Sequence, residues 1–331
     1  MSKIEATAVA LQEGSTEEVT RLAVGGNRPR PLTALHRPKA DHSLFEATYD
    51  EFETAYDPHA RILWQYMRPM GRPSYTQGLL RDVAHYQSRL AEALADVDEG
   101  PDYPLRYTVF GSGTPGVYNL GGDLPLFARL IRDQDRAGLR RYAYACVEPL
   151  QFRATNLDLP VISISLVQGD ALGGGFECAL ADDVIIAERS AKFGFPEILF
   201  NLFPGMGAYS FLSRRIAPSQ AERMMLSGRI YSADDLYEMG IVDVVAEDGA
   251  GEDAVYDYVE RVDRSFEGTR AIYGARRIVN PVTLEEMKAV TDLWVETALK
   301  LDRSDLRKME RLAAAQDRRM KTQRERKAAR A

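Results

Sequence analysis

A chain of 331 residues with 45% hydrophobic side chains can bury a sizeable core, which excludes gross disorder. Its net charge of −7 excludes nucleic-acid binding by the chain as a whole, because neutralising phosphates takes a clustered basic face. Two cysteines, Cys146 and Cys178, are too few for a disulfide framework and lack the spacing of zinc ligands, so reduced packing residues and no metal are expected.

Residues 1 to about 40 carry Gly25-Gly26, Pro29, Pro31 and Pro38 without a sustained apolar period and read as a mobile arm. They show no apolar run of a signal peptide, and no stretch of eighteen apolar residues occurs anywhere, so a soluble cytoplasmic protein without membrane insertion is expected. Arg61–Met67 reads as a strand, Gly78–Asp96 as a helix with Leu79, Leu80, Val83, Leu90 and Leu94 on one face, and Tyr103–Phe110 as a second strand. Strand, helix, strand suggests parallel pairing. Leu124–Tyr144 is helical in pattern, Leu159–Val167 is a nearly continuous apolar strand, and a glycine-rich turn then leads to a short helix, Phe176–Ala181, and the strand Val184–Ala187. Such alternation with buried strands argues for an α/β layer fold. Beyond Gly205 the pattern is mainly helical, ending in one long stretch from Leu284 to Met320 and a basic tail containing Lys321, Arg324, Arg326, Lys327 and Arg330. The divisions expected are therefore an arm at 1–40, an α/β core at 41–265, a C-terminal helical association region at 266–320 and a solvated basic tail at 321–331.

Three segments carry chemistry. Gln168–Glu177 packs Gly169, Gly173, Gly174 and Gly175 between a buried strand and a helix start, where unpaired N–H donors and the helix dipole favour an anion or a developing oxyanion. Neither a phosphate-binding P-loop nor a dinucleotide fingerprint fits its spacing. No nucleophile elbow is present, and all four histidines (His36, His42, His59, His85) precede the loop, which leaves a Ser-His triad without support. A second turn, Asn119-Leu120-Gly121-Gly122-Asp123-Leu124, again joins a strand to a helix, with Asp123 placed as its cap. The third segment, Phe195-Pro196-Glu197-Ile198, sets a carboxylate among apolar neighbours, which raises its pKa toward the range useful for proton transfer.

In this order the three segments resemble the crotonase (enoyl-CoA hydratase/isomerase) superfamily, over roughly residues 60 to 320. The resemblance implies a crotonase (ClpP-like) spiral of stacked ββα units with a C-terminal helical region, and an acyl-thioester lyase that needs no cofactor beyond its substrate's carrier. It implies that Gly122 and Gly174 donate the two N–H groups of an oxyanion hole, and that Glu177 and Glu197, twenty positions apart, face the acyl Cα and Cβ. A closer resemblance, carried by Val117–Leu124, Pro196–Phe211 and Leu293–Ala298, is to the diffusible signal factor synthases. That branch makes cis-2-unsaturated fatty acids as quorum-sensing signals from acyl carrier protein thioesters.

By that resemblance Leu172, Phe203, Met206 and Trp294 would line an acyl pocket, and the reaction would be dehydration of a 3-hydroxyacyl thioester followed by thioester hydrolysis. Two alternatives remain: a trans-2-enoyl-CoA hydratase of fatty-acid degradation, and a regulatory protein that docks on a sensor kinase's receiver domain. The resemblance implies a homotrimer or hexamer, since the family's C-terminal helices pack across subunits, and Met287, Val290, Leu293, Val295, Leu299 and Leu301 would be exposed on a lone helix.

Overall fold

The computed structural model describes residues 42–100 and 102–328. The arm expected at 1–40 lies outside them; of the expected basic tail, residues 321–328 continue the last helix.

Six strands form the larger sheet in the order β1 (Phe52–Asp57), β2 (Ile62–Met67), β3 (Tyr107–Ser112), β5 (Ile162–Val167), β7 (Val184–Glu188) and β10 (Val244–Ala246). Only β1 runs antiparallel to its neighbour; the remaining pairs are parallel. The smaller sheet holds β4 (Gly116–Asn119), β6 (Gly169–Leu172), β8 (Lys192–Gly194) and β9 (Ile230–Ser232), with β9 antiparallel to β8. Three times in succession the chain runs up a strand of the large sheet and steps to the small one: β3 to β4, β5 to β6, β7 to β8. This is the repeated ββα layout of the crotonase fold.

Burial explains why the central strands are legible as apolar runs. Every residue of β5 and β7 is buried, as expected where helices and a second sheet cover both faces of parallel strands. One cluster of core residues lies between the sheets and the helices α1 (Gln77–Leu94), α2 (Leu124–Arg132) and α3 (Arg136–Ala154). A second, containing Ile62, Tyr107, Ile164 and Ile186, packs under α8 (Gly251–Asp263) on the other face of the large sheet. Between these lie the short helices α4 (Gly174–Leu180), α5 (Ala208–Leu212), α6 (Pro218–Ser227) and α7 (Ala233–Glu238).

Several expectations need correction. The single helix expected over Leu124–Tyr144 is two, α2 and α3, because Gln134 takes a left-handed φ of 51° and Asp135 caps the second, its Oδ1 accepting the Gly138 N–H at 2.8 Å. The stretch Leu284–Met320 is likewise divided into α10 (Leu284–Ala298) and α11 (Arg303–Ala328), where Asp302 Oδ1 accepts the N–H groups of Ser304 and Asp305. The glycine-rich turn hides β6, and a helix α9 (Phe266–Val279) occupies residues for which periodicity marked no separate element. The apolar stripe on α10 also has a cover within its own chain: α10 packs on α3, burying Met287, Trp294 and Val295, and Leu301 beyond it is buried too, while Leu293 stays exposed.

Candidate active site

Two turns at the same end of the two sheets approach each other. In the first, β4 ends at Asn119, whose Oδ1 accepts the Gly121 N–H at 2.8 Å, and Asp123 caps α2 by accepting the Leu126 N–H at 3.0 Å. In the second, β6 ends at Leu172 and α4 begins at Gly174. Their backbones nearly touch. A Cβ on Gly121 would lie 2.9 Å from the Gly174 nitrogen, and Gly121 has a φ of +86°, so both space and conformation require glycine there. Gly173 is constrained from the other side: its φ is +53°, and a Cβ would stand 2.3 Å from Glu197 Oε1.

Glu177 lies one turn into α4, 1% exposed, and its Oε1 accepts the N–H groups of Met206 and Ala208 at 2.7 and 2.9 Å. Glu197 opens a 3₁₀ turn, Glu197–Phe200, behind Pro196. The residue as a whole is half-buried, yet its Oε2 is sealed from solvent and has no hydrogen-bonding partner among the described residues. Burial raises Glu177 to about 7, with the two backbone donors pulling against it. Glu197 rises well above the usual carboxylate range, first because it is buried and second because Glu177's charge is close by. Both shifts run in the direction that favours proton uptake by the pair, and Glu197 Oε2 lacks a donor to hold it charged.

Gly122, Gly174, Glu177 and Glu197 line one cavity together with Met206 and Trp294. Its volume of about 50 Å³ makes it a slot for a few atoms, since a single water takes roughly 10–15 Å³ on the same measure. Two residues expected in its wall lie elsewhere. Leu172 is the last residue of β6 and packs with Val117 and Leu120 in a cluster of its own, and Phe203 packs half-buried against the main core. Phe127 and Tyr142 from α2 and α3, Cys146 from α3, and Leu312 and Gln316 from α11 take part instead. Only tertiary packing brings them there; the one local signal was that Tyr142 and Cys146 stand a helical turn apart.

A pair of buried carboxylates beside two glycine turns, at the edge of a double-sheet ββα spiral, defines a crotonase-type site. The sequence profile of the enoyl-CoA hydratase/isomerase family matches residues 84–275, and the chain belongs to that family. Human mitochondrial methylglutaconyl-CoA hydratase is 28% identical over 278 residues, covering 81% of this chain and 75% of that protein. The enoyl-CoA hydratase of Bacillus halodurans superposes with a TM-score of 0.65 at 20% identity, over 79% of this chain and 99% of that one. Pseudomonas aeruginosa DspI superposes with a TM-score of 0.60 at 23% identity, over 72% and 85%.

Proposed function

We propose that the chain dehydrates a 3-hydroxyacyl thioester and then hydrolyses the thioester, releasing a cis-2-unsaturated fatty acid. The observation that carries the acid/base part is that Glu177 and Glu197, with carboxyl groups short of donors, line one slot with Gly122 and Gly174. In this reading Glu177 begins turnover as proton acceptor and Glu197 as proton donor. Elimination then breaks a Cα–H and a Cβ–O bond, with the hydroxyl leaving as water. Negative charge gathers on the thioester oxygen as the Cα–H bond breaks, and the Gly122 and Gly174 N–H groups are the donors that meet it; one such donor typically stabilises the transition state by about 3–4 kcal/mol. The same two donors serve hydrolysis, in which water adds to the carbonyl carbon and the carrier thiol departs. Hydrolysis and the cis double bond are supported by the resemblance of Pro196–Phe211 and Leu293–Ala298 to the signal synthases.

A second reading is reversible hydration of an enoyl-CoA without hydrolysis, favoured by the curated relatives named methylglutaconyl-CoA hydratase. Purified protein given a 3-hydroxyacyl thioester, on acyl carrier protein in one arm and on CoA in the other, separates the two by mass spectrometry. Free cis-2-enoic acid is the outcome expected here. Trans-enoyl thioester with no free acid would establish the hydratase reading instead.

A further inference from the structure

The turn that carries Gly122 is aimed by a residue whose polar atom never faces the slot. Gly122 forms a parallel bridge with Tyr75, a residue just ahead of α1. Its first rung is direct, the Tyr75 N–H donating to the Gly121 carbonyl at 2.8 Å. The second passes through a side chain: the Asp123 N–H donates to the Tyr142 hydroxyl at 3.0 Å, and that hydroxyl donates in turn to the Tyr75 carbonyl. In such a bridge Tyr75 bonds the residues on either side of Gly122, so Gly122's own N–H and C=O point the opposite way. Gly122 lines the slot and Tyr75 does not.

We infer that Tyr142 is a positioning residue: its hydroxyl clamps the Asp123 and Tyr75 backbones and so fixes the direction of the Gly122 N–H. This deepens the proposed function and rests on the oxyanion role given there to Gly122. Three further observations fit it. Tyr142 is 3% exposed, and its ring meets Phe127 edge-on at 5.1 Å between centroids. Phe127 lies against the same turn, for a Cβ on Gly122 would be 2.5 Å from its ring. The neighbouring donors are committed as well, Leu120 N–H to the Pro73 carbonyl and Gly121 N–H to Asn119, which leaves the turn few other ways to settle. Burial also keeps the phenol protonated, as a donor to Tyr75 must be.

The test is Tyr142→Phe, which keeps the ring in the slot's wall and removes only the clamp. A non-reactive acyl thioester labelled with ¹³C at the carbonyl is bound to each protein, and its infrared stretch is compared with that in water. Wild type should shift the stretch to lower frequency, and Tyr142→Phe should lose most of that shift. Turnover should fall about tenfold to a hundredfold with KM within about threefold, the scale of a misaimed group. Tyr107→Phe, which removes another buried hydroxyl in the core cluster on the far side of the large sheet, should leave both readings as in wild type. If Tyr142→Phe does not fold, 3-fluorotyrosine in place of Tyr142 retains the hydroxyl while altering its donor strength, and should move the stretch by a graded amount. A full wild-type shift in Tyr142→Phe, or no change with 3-fluorotyrosine, would overturn the role of Tyr142 alone. No shift in wild type would overturn the oxyanion reading and this inference with it.

Discussion

Two pairs of acids, Asp182/Asp183 and Glu177/Glu197, come from one stretch of the chain and have opposite surroundings. Asp182 and Asp183, each 3% exposed, are met on every side: Arg153 and the Ser165 hydroxyl bond Asp182, while Arg276, Arg277 and Asn156 bond Asp183 at 2.6–2.8 Å. Of the other pair, Glu177 is met by two backbone N–H groups, and neither Glu177 nor Glu197 has an ion-paired cation among the described residues. The aspartates are ion-paired and tie α3 and α9 to the start of β7. The glutamates are left short of partners, and their pKa values are pushed up, chiefly by burial. On the proposed reading, acids close in sequence become scaffold or proton carrier according to whether guanidinium groups reach them.

The strongest test of this contrast is to remove proton exchange and keep shape. Glu177→Gln and Glu197→Gln should each lower kcat by about 10²- to 10⁴-fold, the usual contribution of an acid/base group, with a native circular dichroism spectrum. On the other pair, Arg153→Met should cost about 3–5 kcal/mol of stability in urea denaturation, because it strands a buried charge, while kcat at low temperature stays within a few-fold. The pH dependence separates the pairs further. Glu177's pKa is raised by folding from 4.5 to about 7, so its contribution to stability is fully present below pH 4.5 and is lost as pH rises through 7. Wild type should lose about 3 kcal/mol over that window relative to Glu177→Gln, measured by denaturation at pH 4.5 and 8. The smallest effect is expected at Phe203, whose side chain lies outside the slot: Phe203→Ala should change KM by less than about twofold, even as it loosens a half-buried contact.

Both glutamates and both glycine turns were legible because each lies in a short local pattern set by backbone needs: glycine where φ is positive or two backbones touch, Pro before Glu197. The central strands were legible for a similar reason, since β5 and β7 are buried on both faces and read as unbroken apolar runs. What stayed hidden depends on distance in sequence. Nothing local in Phe127, Tyr142 or Leu312 says that α2, α3 and α11 converge, whereas Leu172 and Phe203 look apolar and lie beside the motifs. Helix breaks at Gln134 and Asp302 were masked because the apolar period resumes on the far side. Strands of three residues, such as β8 and β10, are too short to show alternation.

Leu312 and Gln316 reach the slot from α11, more than a hundred residues after Glu197. During synthesis the glutamates and glycine turns emerge from the ribosome long before this last wall, so a chain that has made them still lacks part of the slot's lining. On the proposed reading competence arrives only as α11 docks, and a protease that clips ahead of Leu312 should silence turnover while sparing Glu177 and Glu197.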